Sequence, residues 1–150
     1  MTLSRSIKTL ISRCDASRRR CDRQLANAEQ RQRECLAQIE ALQQQNRSLR
    51  QLIVLGRPQG QLDRAELFLH QRRVAVMRRQ LSELTLEEKK LAQQLETLVA
   101  QLLEIRTRRQ QWQRQQEKYE QWDRRERQQR RRVRLRQEEM EMQELITWKF

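Results

Sequence analysis

One histidine, three cysteines and no glycine-rich phosphate motif limit the chemistry open to this 150-residue chain. With His70 alone, no histidine pair, metal triad or imidazole relay can be assembled. Near the turn described below, it reads as a half-buried packing residue. Cys14, Cys21 and Cys35 stand seven and fourteen residues apart. On one helix the first two would be separated by about 10 Å, beyond disulfide reach and unlike a zinc-ligand spacing. They read as small apolar seam residues in a reducing compartment. Gly56 and Gly60 flank Pro58 without the Lys-Ser/Thr of a phosphate-cradling loop, so they make a turn. No catalytic residue, cofactor site or metal site is expected, and the chain is not expected to be an enzyme.

What remains is charge. From Arg124 to Arg136 eight of thirteen residues are arginine. Such a run holds many like-charge i, i+3 and i, i+4 pairs, each mildly destabilising to a helix unless an acidic partner surface or a nucleic-acid backbone neutralises it. The following residues, 137–150, carry four Glu against one Lys, so the sign of the charge reverses along the chain.

The elements that position these residues follow from composition. The chain carries 21 Leu, 25 Gln and a net charge of +13, but only 36% hydrophobic and 4% aromatic residues. That is too little apolar material for a compact core, and three Gly plus Pro residues are too few for a disordered tail; long helices are the expectation. Every Gly and the only Pro fall in 56–60. Two helices joined by one turn follow. Asp63 is placed to cap the second helix, with Glu66 as its capping-box partner.

Apolar residues recur in steps of three and four. In the first segment the stripe runs Leu3, Ile7, Leu10, Cys14, Ser17, Cys21, shifts by one residue, and continues from Leu25 and Ala28 to Leu49 and Ile53, with Gln32 and Asn46 as polar members. In the second it runs from Leu67 and His70 through Glu88 to Arg109 and Trp112, then less regularly through Tyr119, Trp122, Val133 and Met140. A stripe this narrow needs a partner along its length. The expected fold is all-α: a long antiparallel two-helix coiled-coil hairpin with a C-terminal helical overhang, as one unit with helix one at about 3–55, the turn at 56–63 and helix two at about 64–148. A fold-back centred near Gln59 sets Leu3 opposite the region of Gln115 and leaves 117–150 without a partner in the monomer. Trp112 is expected to cap the open end over Leu3, Ile7 and Leu10, while Trp122 is open between that cap and an exposed anchor.

The order of features resembles the SpaM/InvI stalk proteins of type III secretion systems, the SctO class, counterparts of the flagellar export protein FliJ. The residues that carry the likeness are the N-terminal SIKTLISRC, the stretch RAELFLHQRRVAVMRRQLSEL with Val76 to Gln80, and Tyr119-x-x-Trp122 with its arginine flank. The resemblance implies a hairpin like that of a rotary-ATPase gamma subunit, whose end bearing both termini enters the pore of a hexameric secretion ATPase and whose coiled coil reaches toward the cytoplasmic ring of the inner-membrane export gate. Carried over by position, the ATPase-binding set is Arg5, Lys8, Arg13, Arg18, Arg19, Arg20, Trp122, Arg124, Arg125, Arg127, Arg130, Arg131, Arg132 and Arg134. The export-gate-facing set is Arg50, Leu52, Arg57, Leu67, Phe68, Arg72, Arg73 and Met77.

The expected function is a non-enzymatic shaft that links the ATPase to the gate and promotes its assembly and activity. Some relatives of this type also bind secretion chaperones. The alternative is a basic RNA- or ribosome-associated coiled coil, although no recognised nucleic-acid module is present and nucleic acid is not the expected partner. No apolar run approaches the roughly 20 residues that span a bilayer and the N-terminus lacks a secretory signal core, so no membrane insertion is expected. The expected place is the bacterial cytoplasm, peripheral to the inner membrane at the secretion apparatus.

Overall fold

The computed structural model describes residues 2–149. The chain is all-α, with α1 at Thr2–Leu55 and α2 at Arg64–Lys149. Phe150, the last residue of the expected overhang, lies outside the described residues. The break between the helices has a local cause. The Gly56 N–H reaches the Leu52 carbonyl at 2.8 Å and closes the last turn of α1, and a Cβ at Gly56 would stand only 2.8 Å from that same oxygen. Gly60 then takes φ +103°, a conformation costly for any other residue. Asp63 starts α2: its carboxylate accepts from the Arg64 N–H at 2.9 Å and its carbonyl from the Leu67 N–H at 2.9 Å. Glu66 lies in the first turn, where its charge suits the helix dipole, but it makes no return bond to Asp63.

The chain divides into two compact units. One comprises residues 25–104, with the turn. In it the Cys35 thiol donates to the Leu91 carbonyl at 3.4 Å and the Gln43 amide to Glu88 at 3.1 Å. Going forward from 35 to 43 on α1 goes back from 91 to 88 on α2, so the helices are antiparallel. The stripe of this unit holds buried Ala28, Cys35 and Leu102, with half-buried Leu25, Ile39, Leu42, Leu84, Leu91, Leu95 and Leu98 beside them. The other unit joins residues 2–24 to 105–149. Here Ile7, Cys14, Cys21 and Ile105 are buried, and Arg109 reaches Asp22 across the helices at 2.6 Å.

Three expectations are corrected. The buried residues of α1, Ile7, Cys14, Cys21, Ala28 and Cys35, follow one another at every seventh position. Ser4, Ile11, Arg18 and Leu25 are half-buried on the same continuous heptad and Leu3 is exposed, while Leu10 and Ser17 of the expected stripe are half-buried beside them, so before Leu25 the flank of the stripe is shared between two neighbouring positions rather than shifted by one residue. The pairing register also differs. A fold-back centred on Gln59 would set Cys35 opposite residue 83 and Asp22 opposite residue 96, whereas the observed partners are Leu91 and Arg109. The physical reason lies at the turn, where Arg64–Leu69 stay exposed and the α2 stripe begins at His70 and Val74, lengthening the effective loop. Consequently the unpaired tail begins near Arg127 rather than at Glu117: Tyr119, Asp123 and Glu126 are still shielded, and every residue from Arg127 to Lys149 is exposed.

Candidate partner-binding surfaces

Residues of the expected ATPase-binding set all fall in the terminal unit, 2–24 with 105–149, and those of the expected gate-facing set all fall in 25–104. In the terminal unit, α1 carries Arg5, Lys8, Arg13, Arg19 and Arg20 on its exposed side. Arg18 is instead half-buried, and it and Arg19 bind the Asp15 carboxylate at 3.1 and 3.2 Å. On α2, Arg127 pairs with Asp123 and Arg130 with Glu126, both at 3.1 Å. Arg124, Arg125, Arg131, Arg132, Arg134 and Arg136 make no ion pair among the described residues. Because successive residues turn by about 100°, these eight arginines are spread around the helix and leave no bare arc wider than about a third of a turn. A surface of this kind suits a partner that encloses the helix better than one that meets a single side.

Strict heptad spacing beyond Trp112 leads to Gln116, Tyr119, Asp123 and Glu126, which α2 shields there together with Glu120. Trp122, written into the stripe by the looser reading of the sequence, lies off it and is 43% exposed. It is held from the side. Tyr119 meets it edge-on with ring centres 5.5 Å apart, and the Lys118 ammonium stands 5.2 Å from its ring centre. Of the two readings of Trp122, exposure favours the anchor.

Asp123 was missed. Among the described residues it is the one buried charged side chain, and its Oδ1, together with Gln116 Oε1 and Glu126 Oε2, is buried there without a hydrogen-bond partner. Continuing the seven-residue count from Leu102 and Leu95 would have found it. A carboxylate carries no hydrophobic signal, whereas the neighbouring Trp122 does.

In the 25–104 unit, Arg50, Arg57, Arg72 and Arg73 are exposed, as are Leu52, Leu67 and Phe68. Val54, Leu55 and Leu69 join them, making the turn region apolar as well as basic. Met77 faces the helix seam and is half-buried, so it is less available than its neighbours. His70 is half-buried too, as a packing residue. All three thiols are free and buried, and burial pushes the Cys14 thiol above its ordinary range. No described group of His, Cys, Asp and Glu side chains could hold a metal ion. No helix among the described residues is long and apolar enough to cross a membrane.

Together these features define a two-helix, all-α protein with exposed basic surfaces. The profile of the Salmonella surface presentation of antigen gene type M protein family matches residues 5–146, and the chain belongs to that family of type III secretion components. No curated protein and no solved structure matches it.

Proposed function

We propose that this protein is the central stalk of a type III secretion apparatus, joining the hexameric secretion ATPase to the cytoplasmic ring of the inner-membrane export gate and promoting the activity and assembly of the ATPase. The observation that carries the reading is the arginine collar on α2: eight arginines spread around one helix, six of them without an ion pair among the described residues. A ring of subunits whose pore is lined by carboxylates would neutralise them together and relieve their mutual repulsion. Exposed Trp122 would add an aromatic anchor at the mouth of that pore. The apolar and basic turn region, with Leu52, Leu67, Phe68, Arg72 and Arg73, is the surface offered to the export gate. Secretion chaperones are further candidate partners. On this reading the protein works from the bacterial cytoplasm, at the inner face of the membrane, and catalyses nothing itself.

The test is the rate of ATP hydrolysis by the purified ATPase with and without the stalk. Stimulation is expected, and it should decline as salt screens the collar. Arg131→Glu, Arg132→Glu and Arg134→Glu together should abolish it while circular dichroism shows unchanged helix content. Stimulation untouched by the triple change would overturn the reading. Tight, steeply salt-dependent binding of generic RNA in a gel-shift assay would instead favour an RNA-associated role.

A further inference from the structure

The first part of α2 carries a second face, on the side away from the seam. Between Arg64 and Ser82 five arginines stand with a single acidic residue, Glu66. The seam there runs through His70, Val74, Met77 and Leu81, all half-buried, and Glu66 lies toward that side of the helix. Opposite the seam Ala65, Phe68, Leu69, Ala75 and Val76 fall within an arc of about 120°. All five are exposed, Phe68 at 65%, Leu69 at 52% and Val76 at 53%. Arg72 and Arg79 lie among them on the same arc, and Arg64 and Arg73 border it on either side. Arg79 meets Glu83 only at 3.8 Å, with both side chains exposed, and the other three make no ion pair among the described residues. Farther along, the same side turns polar: from Glu83 to Glu104 its only large apolar residue is Leu86.

We propose that this face of α2 adsorbs to a bilayer surface rich in anionic lipid, lying in the plane of the headgroups without crossing them. Charge complementarity names the occupant, because an arc that holds arginines and no carboxylate is matched by anionic headgroups. The order of side chains favours a bilayer over a protein groove. Arg72 stands four residues from Phe68 and four from Val76, between them on the arc. A groove that covered all three would bury the guanidinium and need a carboxylate placed to meet it. At a bilayer Phe68, Leu69 and Val76 dip to the acyl boundary, while Arg72 and Arg79 run their stems along the apolar surface and reach the phosphates. Helix α1 packs on the seam side, so it does not come between this face and the lipid. The face is about 28 Å long and sparse in apolar residues, so charge supplies much of the affinity and salt weakens it. Where the stalk reading holds, lipid and export gate share Phe68 and Arg72, and either one displaces the other. The inference does not rest on that reading.

Flotation of the full chain with phospholipid vesicles tests it without ATPase or gate. Binding is expected to vesicles of phosphatidylcholine and phosphatidylglycerol mixed equally, not to phosphatidylcholine alone, and it should decline with added salt. Phe68→Ser, Leu69→Ser and Val76→Ser together leave the net charge untouched and should lower the affinity at least about tenfold, with helix content unchanged. Phe68→Trp should match or exceed the parent chain, because tryptophan favours the headgroup level. The collar is cationic as well, so the comparison is repeated in a chain carrying Arg131→Glu, Arg132→Glu and Arg134→Glu. Binding should persist there, and the serine changes should cost as much. Flotation that the serine changes leave untouched, equal binding to both kinds of vesicle, or loss of all binding once the collar is reversed would each overturn the proposal. So would a parent chain that does not float, which would leave the face to a protein partner.

Discussion

The two units use the same heptad spacing and fill it with different side chains. Between residues 84 and 102 the α2 stripe is Leu84, Leu91, Leu95, Leu98 and Leu102 with one polar member, Glu88, which is satisfied by Gln43. In the terminal unit the same stripe continues as Trp112, Gln116, Tyr119, Asp123 and Glu126, three of which bury a polar atom without a partner among the described residues. Spacing alone therefore decides that two helices associate, while the residues on the spacing decide how firmly. The first unit is held by apolar burial. The second gives up some of that stability where the charged collar begins, which leaves the collar region easier to open and grip from outside.

The contrast is sharpened most by cutting into the apolar stripe. Leu102→Ala removes a side chain that is only 4% exposed and should cost about 3 kcal/mol, seen as a clear fall in the melting temperature. A loss under about 1 kcal/mol would mean that the stripe is not what holds the unit. At the turn, Gly60→Val forces a branched residue into φ +103° and should cost about 1–2 kcal/mol with helix content retained. In the terminal unit the sign reverses. Asp123→Leu replaces a buried carboxylate having an unpartnered oxygen with an apolar side chain, and should stabilise the chain by about 1 kcal/mol despite the loss of the Arg127 pair. A lower melting temperature would show that the carboxylate is well satisfied and that the two stripes are equally firm.

The smallest effect concerns pH. Burial raises the Cys14 thiol, so the folded chain keeps it protonated where the unfolded chain starts to ionise. Its stabilising contribution is complete below the ordinary thiol range and is lost as pH rises through that range toward the folded value. Between about pH 8 and about pH 10 the melting temperature of the chain should therefore fall slightly faster than that of Cys14→Ala. Parallel curves would place the thiol in water.

Much of this was legible in residue order. The confinement of Gly56, Pro58 and Gly60 to one short stretch marks the place where α1 ends at Leu55, and Asp63 marks the start of α2 at Arg64. The heptad steps picked out Ile7, Cys14, Cys21, Ala28 and Cys35, all of them buried. The register was not legible, because a symmetric fold-back about Gln59 assumes that pairing begins where the helices do. Leu67, Phe68 and Leu69 look like stripe residues, yet the structure leaves them in solvent. Polar members of the stripe were the second obstacle. Arg18, Gln116, Asp123 and Glu126 occupy heptad positions that hydrophobicity does not flag, and Trp122 beside them is apolar but lies off the stripe. The arginine collar could be counted from the sequence, but which of its members are committed to Asp123 and Glu126 required side-chain positions.

The thiols have one more consequence. At four of its five buried heptad positions, all but Ile7, α1 presents small side chains, Cys14, Cys21, Ala28 and Cys35, whereas α2 answers with bulky ones, buried Leu102 and Ile105 and half-buried Leu91 and Leu98. Two copies of α1 laid together would leave voids, and two copies of α2 would jostle for the same volume. Size mismatch thus acts as a proofreader of assembly, steering each first helix to a second helix and away from its own kind.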